Sequence, residues 1–252
     1  SVSAGGTVDY VSPRDQDYIP HIEEREKAGT PGVLQTLKAA LAFQVKDRIG
    51  ARRIEEREQE LLARAFERWV AHPRIEILGN PDPARRVGIV SFNIRDPKGQ
   101  YLHPRFITTL LNDLFGVQSR AGCSCAGPYG HQLLGIDDKR ASEYRAWISR
   151  GYQGIKPGWC RVGFHYAFDD AEVDYLIDSI LFVADHGHRF VHRYHFDARS
   201  GGWQHKDWHE EDVEFSLAAC RQSGRIGPSA LTAARRRGMY REYLEWAMDL
   251  AG

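Results

Sequence analysis

No apolar run in the 252-residue chain approaches the roughly 20 residues of a membrane-spanning helix. Residues 1–10 lack the charged and apolar regions of a signal peptide. Cysteine is scarce, with four in the whole chain, which is too few for a disulfide framework at this length. Cys123 and Cys125 also stand too close for an ordinary structural bridge. These absences point to a reducing, cytoplasmic setting. Net charge is lacking too, because 34 Lys and Arg balance 34 Asp and Glu. No overall field then draws the chain to nucleic acid or to an anionic membrane, so neither is an expected partner. Arg235, Arg236 and Arg237 form the longest basic run and read as the solvated face of a helix. There is no internal repeat and no low-complexity tract. What remains is 42% hydrophobic, enough for a sizeable core in one or two domains.

The segment 120–128, Arg-Ala-Gly-Cys-Ser-Cys-Ala-Gly-Pro, is the most informative stretch. It sets two thiols and a guanidinium in a glycine-punctuated loop after an apolar run. A thiolate is the nucleophilic form of cysteine, and a fixed cation such as Arg120 lowers a thiol pKa. Gly122, Gly127 and Pro128 suit a tight turn. The competing reading is that Cys123 and Cys125 are small packed apolar residues. A zinc site built from Cys123, Cys125, His131 and Cys160 is a further reading, carried by a single Cys-x-Cys without a second pair.

Periodicity organises the rest. Residues 6–11 read as a strand and 12–26 as a polar loop. Val33, Leu34, Leu37, Leu41 and Val45 recur at helical spacing behind Pro31, with Gly50 as the stop. A second helix over 52–70 carries Ile54, Leu61, Leu62, Ala65 and Trp69 on one side. Its other side, with Arg53, Arg57, Glu60, Arg64 and Arg68, reads as solvated. Strands over 75–78 and 87–94 are expected as neighbours in one sheet. A helix opened by Pro104 and closed by Gly116 should follow, leading into Arg120 at a strand end. In 161–166, period two sets Val162, Phe164 and Tyr166 on one face and Arg161 on the other, away from the core. Asp169 and Glu172 form a capping-box start to a helix that covers the sheet. Beyond residue 186 come a hairpin around 194–203 and two tail helices, over 213–221 and 228–250. The second presents Met239, Tyr243, Trp246 and Leu250 for packing.

Three ordered motifs carry a family resemblance. Arg120-x-Gly-x-x-Cys125-Ala resembles a loop of the class V, fold-type I pyridoxal-phosphate enzymes, in their cysteine desulfurase and selenocysteine lyase branch. Gly29-Thr30-Pro31 is similar to their Gly-Thr-Pro turn. Segment 160–173 resembles their late strand and final helix. The likeness implies an α/β fold comprising the end of the large cofactor domain (1–51), the small C-terminal α/β sandwich (52–188) and an appended hairpin and helical tail (189–252). The small domain is expected to hold a mostly antiparallel sheet with helices on one face.

The same likeness implies roles. Cys125 would be the catalytic thiol that takes sulfur from cysteine as a persulfide, releasing alanine. Arg161 would hold the substrate carboxylate, with Arg120 assisting. Gly29 and Thr30 would bind the pyridoxal phosphate, the threonine reaching the partner subunit's cofactor in a homodimer. The family's Schiff-base lysine falls upstream of the segment resembling 5–8, so the chain is expected to be a C-terminal part, inactive alone. His205-Lys206 is a coincidental dipeptide. A sulfur-acceptor protein is a further implied partner. Alternative readings are another class V activity, such as an aminotransferase, lyase or epimerase, or a non-catalytic dimerisation module. Without the resemblance, Arg161 reads first as half of an ion pair, and Thr30 as a helix cap.

Overall fold

The computed structural model describes residues 4–122, 127–209 and 231–252. The chain divides into two compact units, Ser1–Ile54 and Glu55–Gly252.

In the first unit, β1 (Val8–Val11) pairs antiparallel with β2 (Gln16–Tyr18). The expected loop over 12–26 therefore holds a strand, followed by a single helical turn, α1 (Ile22–Arg25). The reason is local: Ser12 Oγ accepts from the backbone N–H of Asp15 at 2.9 Å and Ser12 N–H donates to Asp15 O at 2.7 Å, which turns the chain back. Helix α2 (Val33–Ile49) ends at Gly50, at φ 94°. Its N-cap is Gly32, so Pro31 precedes the helix instead of occupying the first turn. Val33, Leu34, Leu37, Leu41 and Val45 are all exposed, as is Phe43 on another side of the helix. The stripe is helical as expected, but nothing in this unit buries it.

The second unit is built on one antiparallel sheet. Helix α3 (Ala51–Trp69), which carries the division in its first turn, precedes β3 (Ile75–Ile77) and β4 (Ile89–Ile94). Then come α4 (Pro104–Phe115), β5 (Arg120–Gly122), α5 (Gly127–Leu133), α6 (Asp138–Ile148), β6 (Trp159–Gly163) and α7 (Asp170–His186). A hairpin, β7 (Tyr194–Phe196) with β8 (Trp203–His205), and helix α8 (Ala233–Ala251) complete it. Gly127 and Pro128 begin α5 and do not make a free turn, because proline's fixed φ suits a first helical turn. The expected helix over 213–221 lies outside the described residues.

The sheet order is β3-β4-β6-β5. Val90, Phe92 and Ile94 of β4 alternate inward with Cys160 and Val162 of β6, and all five are at most 5% exposed. Against them pack Leu61, Leu62 and Trp69 of α3, the apolar face of α4, and Val173, Ile177 and Ile180 of α7. The Trp69 ring lies 6.1 Å from Phe92 and 5.7 Å from Phe164. Burial of these side chains is the main stabilising term, at roughly 25 cal/mol per Å² of apolar surface.

Local signals fix the helix ends. His103 Nδ1 caps α4 and Gly116, at φ 63°, closes it in the left-handed conformation. Asp169 and Glu172 form a complete capping box on α7. The arginine face of α3 is not merely solvated. Arg57 and Arg64 share Asp170 at 2.8 Å, and Arg68 meets Asp178 at 2.7 Å, so charges clamp α3 to α7. The basic run of the tail is likewise engaged. Arg236 donates to Glu172 at 2.8 Å and to Asp169, tying α8 to the start of α7. Tyr240 stacks on Tyr175 at 4.1 Å, and Ala247 and Ala251 are buried. Leu250 packs against the core as expected, with Tyr240 and Leu244, whereas Tyr243 and Trp246 are 38% and 51% exposed, so the packing stripe of α8 is only partly the expected one. Among the described residues, no helix is long and apolar enough to cross a membrane.

Candidate functional site

One face of the sheet is covered by α3, α4 and α7; the other carries Ser91, Arg161 and Arg120 together with Ile89 and Trp159. Register places Ser91 of β4 opposite Arg161 of β6, and Arg161 opposite Arg120 of β5. Directly opposed residues share a face, so Arg161 and Arg120 project side by side from the open face, with Cβ atoms about 5 Å apart. Neither guanidinium has a hydrogen-bond or ion-pair partner among the described residues. Two adjacent uncompensated cations on one sheet face form an anion-binding arrangement, since each guanidinium can make paired charge-assisted bonds to a carboxylate. The ion-pair reading of Arg161 therefore finds no acid among the described residues.

The elements around the pair are held by glycines and by the hairpin. Gly122 ends β5 at φ 119°, a conformation that favours glycine. Cys123 and Cys125 lie outside the described residues. At the far end of β6, Phe164 N–H donates to Gly88 O at 2.6 Å, and a Cβ on Gly88 would sit 2.4 Å from Phe164 O, so only glycine allows this approach.

The loop entering β6 is pinned from behind through His103. Its Nδ1 accepts from Arg105 N–H at 3.2 Å and from Trp203 Nε1–H at 3.1 Å, which fixes the proton on Nε2. Nε2–H donates to Gly154 O at 2.7 Å. Burial, followed in smaller measure by the nearby Arg105 charge, lowers the imidazole pKa, while the bond to Gly154 opposes this. His103 and the hairpin were not singled out in the sequence as supports of the site. The His103-Pro104 helix start was a legible signal, but Trp203 and Gly154 are distant in the chain.

Cys160 faces the helices. Its thiol donates to Pro104 O at 3.1 Å, and complete burial pushes its pKa far up. That placement removes it from the zinc set considered with Cys123, Cys125 and His131. His131 lies in the last turn of α5. Among the described residues no cluster of three or more His, Cys, Asp or Glu side chains is placed to hold a metal.

In the first unit, Gly29 takes φ 74° and donates its N–H to Gly5 O at 2.8 Å, fixing the turn that leads to α2. Thr30 is exposed, and its hydroxyl has no partner among the described residues. It does not cap α2, whose N-cap is Gly32.

The sequence profile of aminotransferase class V matches residues 1–176. The chain belongs to the aminotransferase class-V family. A probable cysteine desulfurase of Staphylococcus aureus is 36% identical over 140 residues, which is 56% of this chain and 32% of the relative. Its Staphylococcus epidermidis counterpart is 33% identical over the same length. The chain thus spans about a third of the curated relatives it matches. Among solved structures, the apo cysteine desulfurase of Thermococcus onnurineus superposes with TM-score 0.50 at 28% identity, covering 70% of this chain and 37% of that one. The Escherichia coli cysteine desulfurase CsdA gives TM-score 0.51 at 19% identity, covering 71% and 37%, a likeness of fold alone. The fold is that of these fold-type I enzymes, and the class V family is pyridoxal-phosphate dependent.

The residues present fit the phosphate end of that cofactor. Thr30 offers an uncommitted hydroxyl beside the N-terminal end of a 17-residue helix, where the backbone dipoles favour an anion. Lys206, of the His205-Lys206 dipeptide, is exposed at the end of β8, where its N–H donates to Arg193 O at 2.9 Å.

Proposed function

We propose that the chain supplies the substrate-binding and sulfur-accepting part of a cysteine desulfurase. The observation that carries this is the pair Arg161 and Arg120, side by side on the open sheet face, with Arg120 shortly before Cys125 in the sequence. Arg161 binds the carboxylate of a cysteine substrate and Arg120 assists in orienting it. Gly29 and Thr30 hold the phosphate of pyridoxal phosphate, which supplies an electron sink when bound. The thiolate of Cys125 forms a new S–S bond to the substrate sulfur as the C–S bond breaks. The bonding pair stays with the substrate carbon, which takes up a proton and leaves as alanine. Cys125 is left as a persulfide.

The polypeptide that works in this way also contains the segment of its relatives that this chain does not span, and that segment carries the Schiff-base lysine. A homodimer in which Thr30 serves the partner's cofactor, a cytoplasmic setting and a sulfur-acceptor protein complete the reading. Borohydride reduction of this chain with pyridoxal phosphate should then leave no stoichiometric adduct on Lys206 or on any other single lysine.

The test is sulfide and alanine release from cysteine, with pyridoxal phosphate and a reductant, by a polypeptide containing both segments. Cys125→Ala should abolish sulfide release, and undiminished release would refute the assignment. Arg161→Ala should weaken amino-acid binding far more than cofactor binding. Equal substrate affinity would remove Arg161 from the site.

A further inference from the structure

Trp159 opens β6 and is only 4% exposed, yet its indole Nε1–H has no hydrogen-bond partner among the described residues. A buried donor without an acceptor is costly, and folded proteins rarely retain one unless something fills the need. The ring takes no part in the core packed against α3, α4 and α7. Strand alternation accounts for that. Cys160 and Val162 point to the helices, so Trp159 shares the opposite face with Arg161, two residues and about 7 Å along the strand.

Directly across from Trp159 stands Gly122 of β5, where a Cβ would meet nothing within 4 Å among the described residues. Room is left beside the indole. Its neighbours on this face, Arg161 along the strand and Arg120 on the diagonal, carry donors only and cannot accept from it. Two guanidinia and an indole N–H therefore share one stretch of sheet face, and no acceptor among the described residues meets any of them. A carboxylate is their chemical complement. It offers acceptor sites alone, about four of them, so a bidentate bond to one arginine leaves sites for a third donor.

We propose that Trp159 is a further substrate-binding residue, whose Nε1–H donates to the carboxylate that Arg161 holds. Arg161 supplies the attraction, and the indole, immobilised by its burial, fixes where the carboxylate comes to rest. The proposal rests on the carboxylate role of Arg161 given above and adds to it a neutral donor from the same strand.

The experiment is nuclear magnetic resonance of the full chain, isotope-labelled at the tryptophan indole and arginine side-chain nitrogens. The chain is titrated with propanoate and, separately, with propanamide, its neutral counterpart of similar shape. The Trp159 indole N–H resonance is expected to shift saturably with propanoate, at the same midpoint as the Arg161 resonance, and to stay in place with propanamide. Arg161→Gln should abolish the shift. Trp159→Phe, which keeps a ring and removes the N–H, should weaken propanoate binding about tenfold, the loss of one hydrogen bond to a charged group. The wild-type titration carries the test even if that variant does not fold. Saturation at Arg161 with Trp159 unmoved would overturn the proposal and leave the carboxylate role of Arg161 standing. No response at Arg161 would overturn both. A Trp159 shift that persists in Arg161→Gln would place the indole in another site and overturn the proposal as well.

Discussion

Replacing Arg161 by Gln should leave the fold as stable as before, or more so, because no acid among the described residues pairs with the side chain. Arg161 sits directly across from Arg120, and no carboxylate among the described residues offsets either charge. Taking the charges as about 6 Å apart, Coulomb's law gives a repulsion of about 0.7 kcal/mol in water and about 3 kcal/mol at an effective dielectric of 20. Arg120 is exposed and Arg161 half-buried, so solvent screening places the value near the lower figure. Arg161→Gln should therefore gain about 0.5–1 kcal/mol in urea unfolding at low salt, less whatever packing the arginine stem provides. The gain should fade as ionic strength rises from about 0.01 M to about 1 M, where the Debye length shrinks from about 30 Å to about 3 Å. Arg120→Gln should show a similar gain, and the double variant little more than either alone, since one repulsion is being removed twice. A salt-independent loss of about 1 kcal/mol or more in Arg161→Gln would refute the reasoning and make the arginine a structural strut.

Three further outcomes follow from the geometry. Asp169→Asn keeps the N-cap of α7 but loses the charge that Arg236 meets, whereas Asp169→Ala loses both; the alanine variant should be about 1 kcal/mol less stable than the asparagine one, and equal unfolding midpoints would contradict the cap's role. His103 titrates below its usual value because it is buried, so the stability it protects is complete above the unfolded pKa of about 6.5 and lost as pH falls toward the folded pKa. The wild-type advantage over His103→Asn, which keeps a capping side chain, should accordingly shrink below about pH 6.5, and a pH-independent difference would argue against the bond network. Cys160, fully buried with its thiol pKa raised, should resist a thiol reagent until the protein unfolds; rapid native-state labelling of Cys160 would contradict its position on the helix-packed face.

The parts of the fold that could be read in the sequence were those written within a few residues. The Asp169–Glu172 capping box, the Pro104 opening and Gly116 closing of α4, and the alternation that turns Arg161 away from the core are all local patterns, and each took its expected form. Pairing across the chain was not legible. Nothing near Arg57 announces Asp170, 113 residues away, and nothing near Trp203 announces His103. The same limit explains α8, where helical spacing allowed several faces and the stack of Tyr240 on Tyr175 selected one. In α2 the apolar residues announce a helix, but their exposure in this unit shows that periodicity does not say what covers them.

At the site, the motif residues Arg120 and Arg161 were read from sequence, and their adjacency required the strand register.

The most direct test of the account is to follow one turnover with cysteine, in a polypeptide that joins this chain to the segment of its relatives it does not span, and to map added sulfur by mass spectrometry. The account predicts one additional sulfur atom on the peptide bearing Cys125, removable by reductant, and none on the peptide bearing Cys160. Turnover to alanine with no sulfur recovered at Cys125 would contradict it.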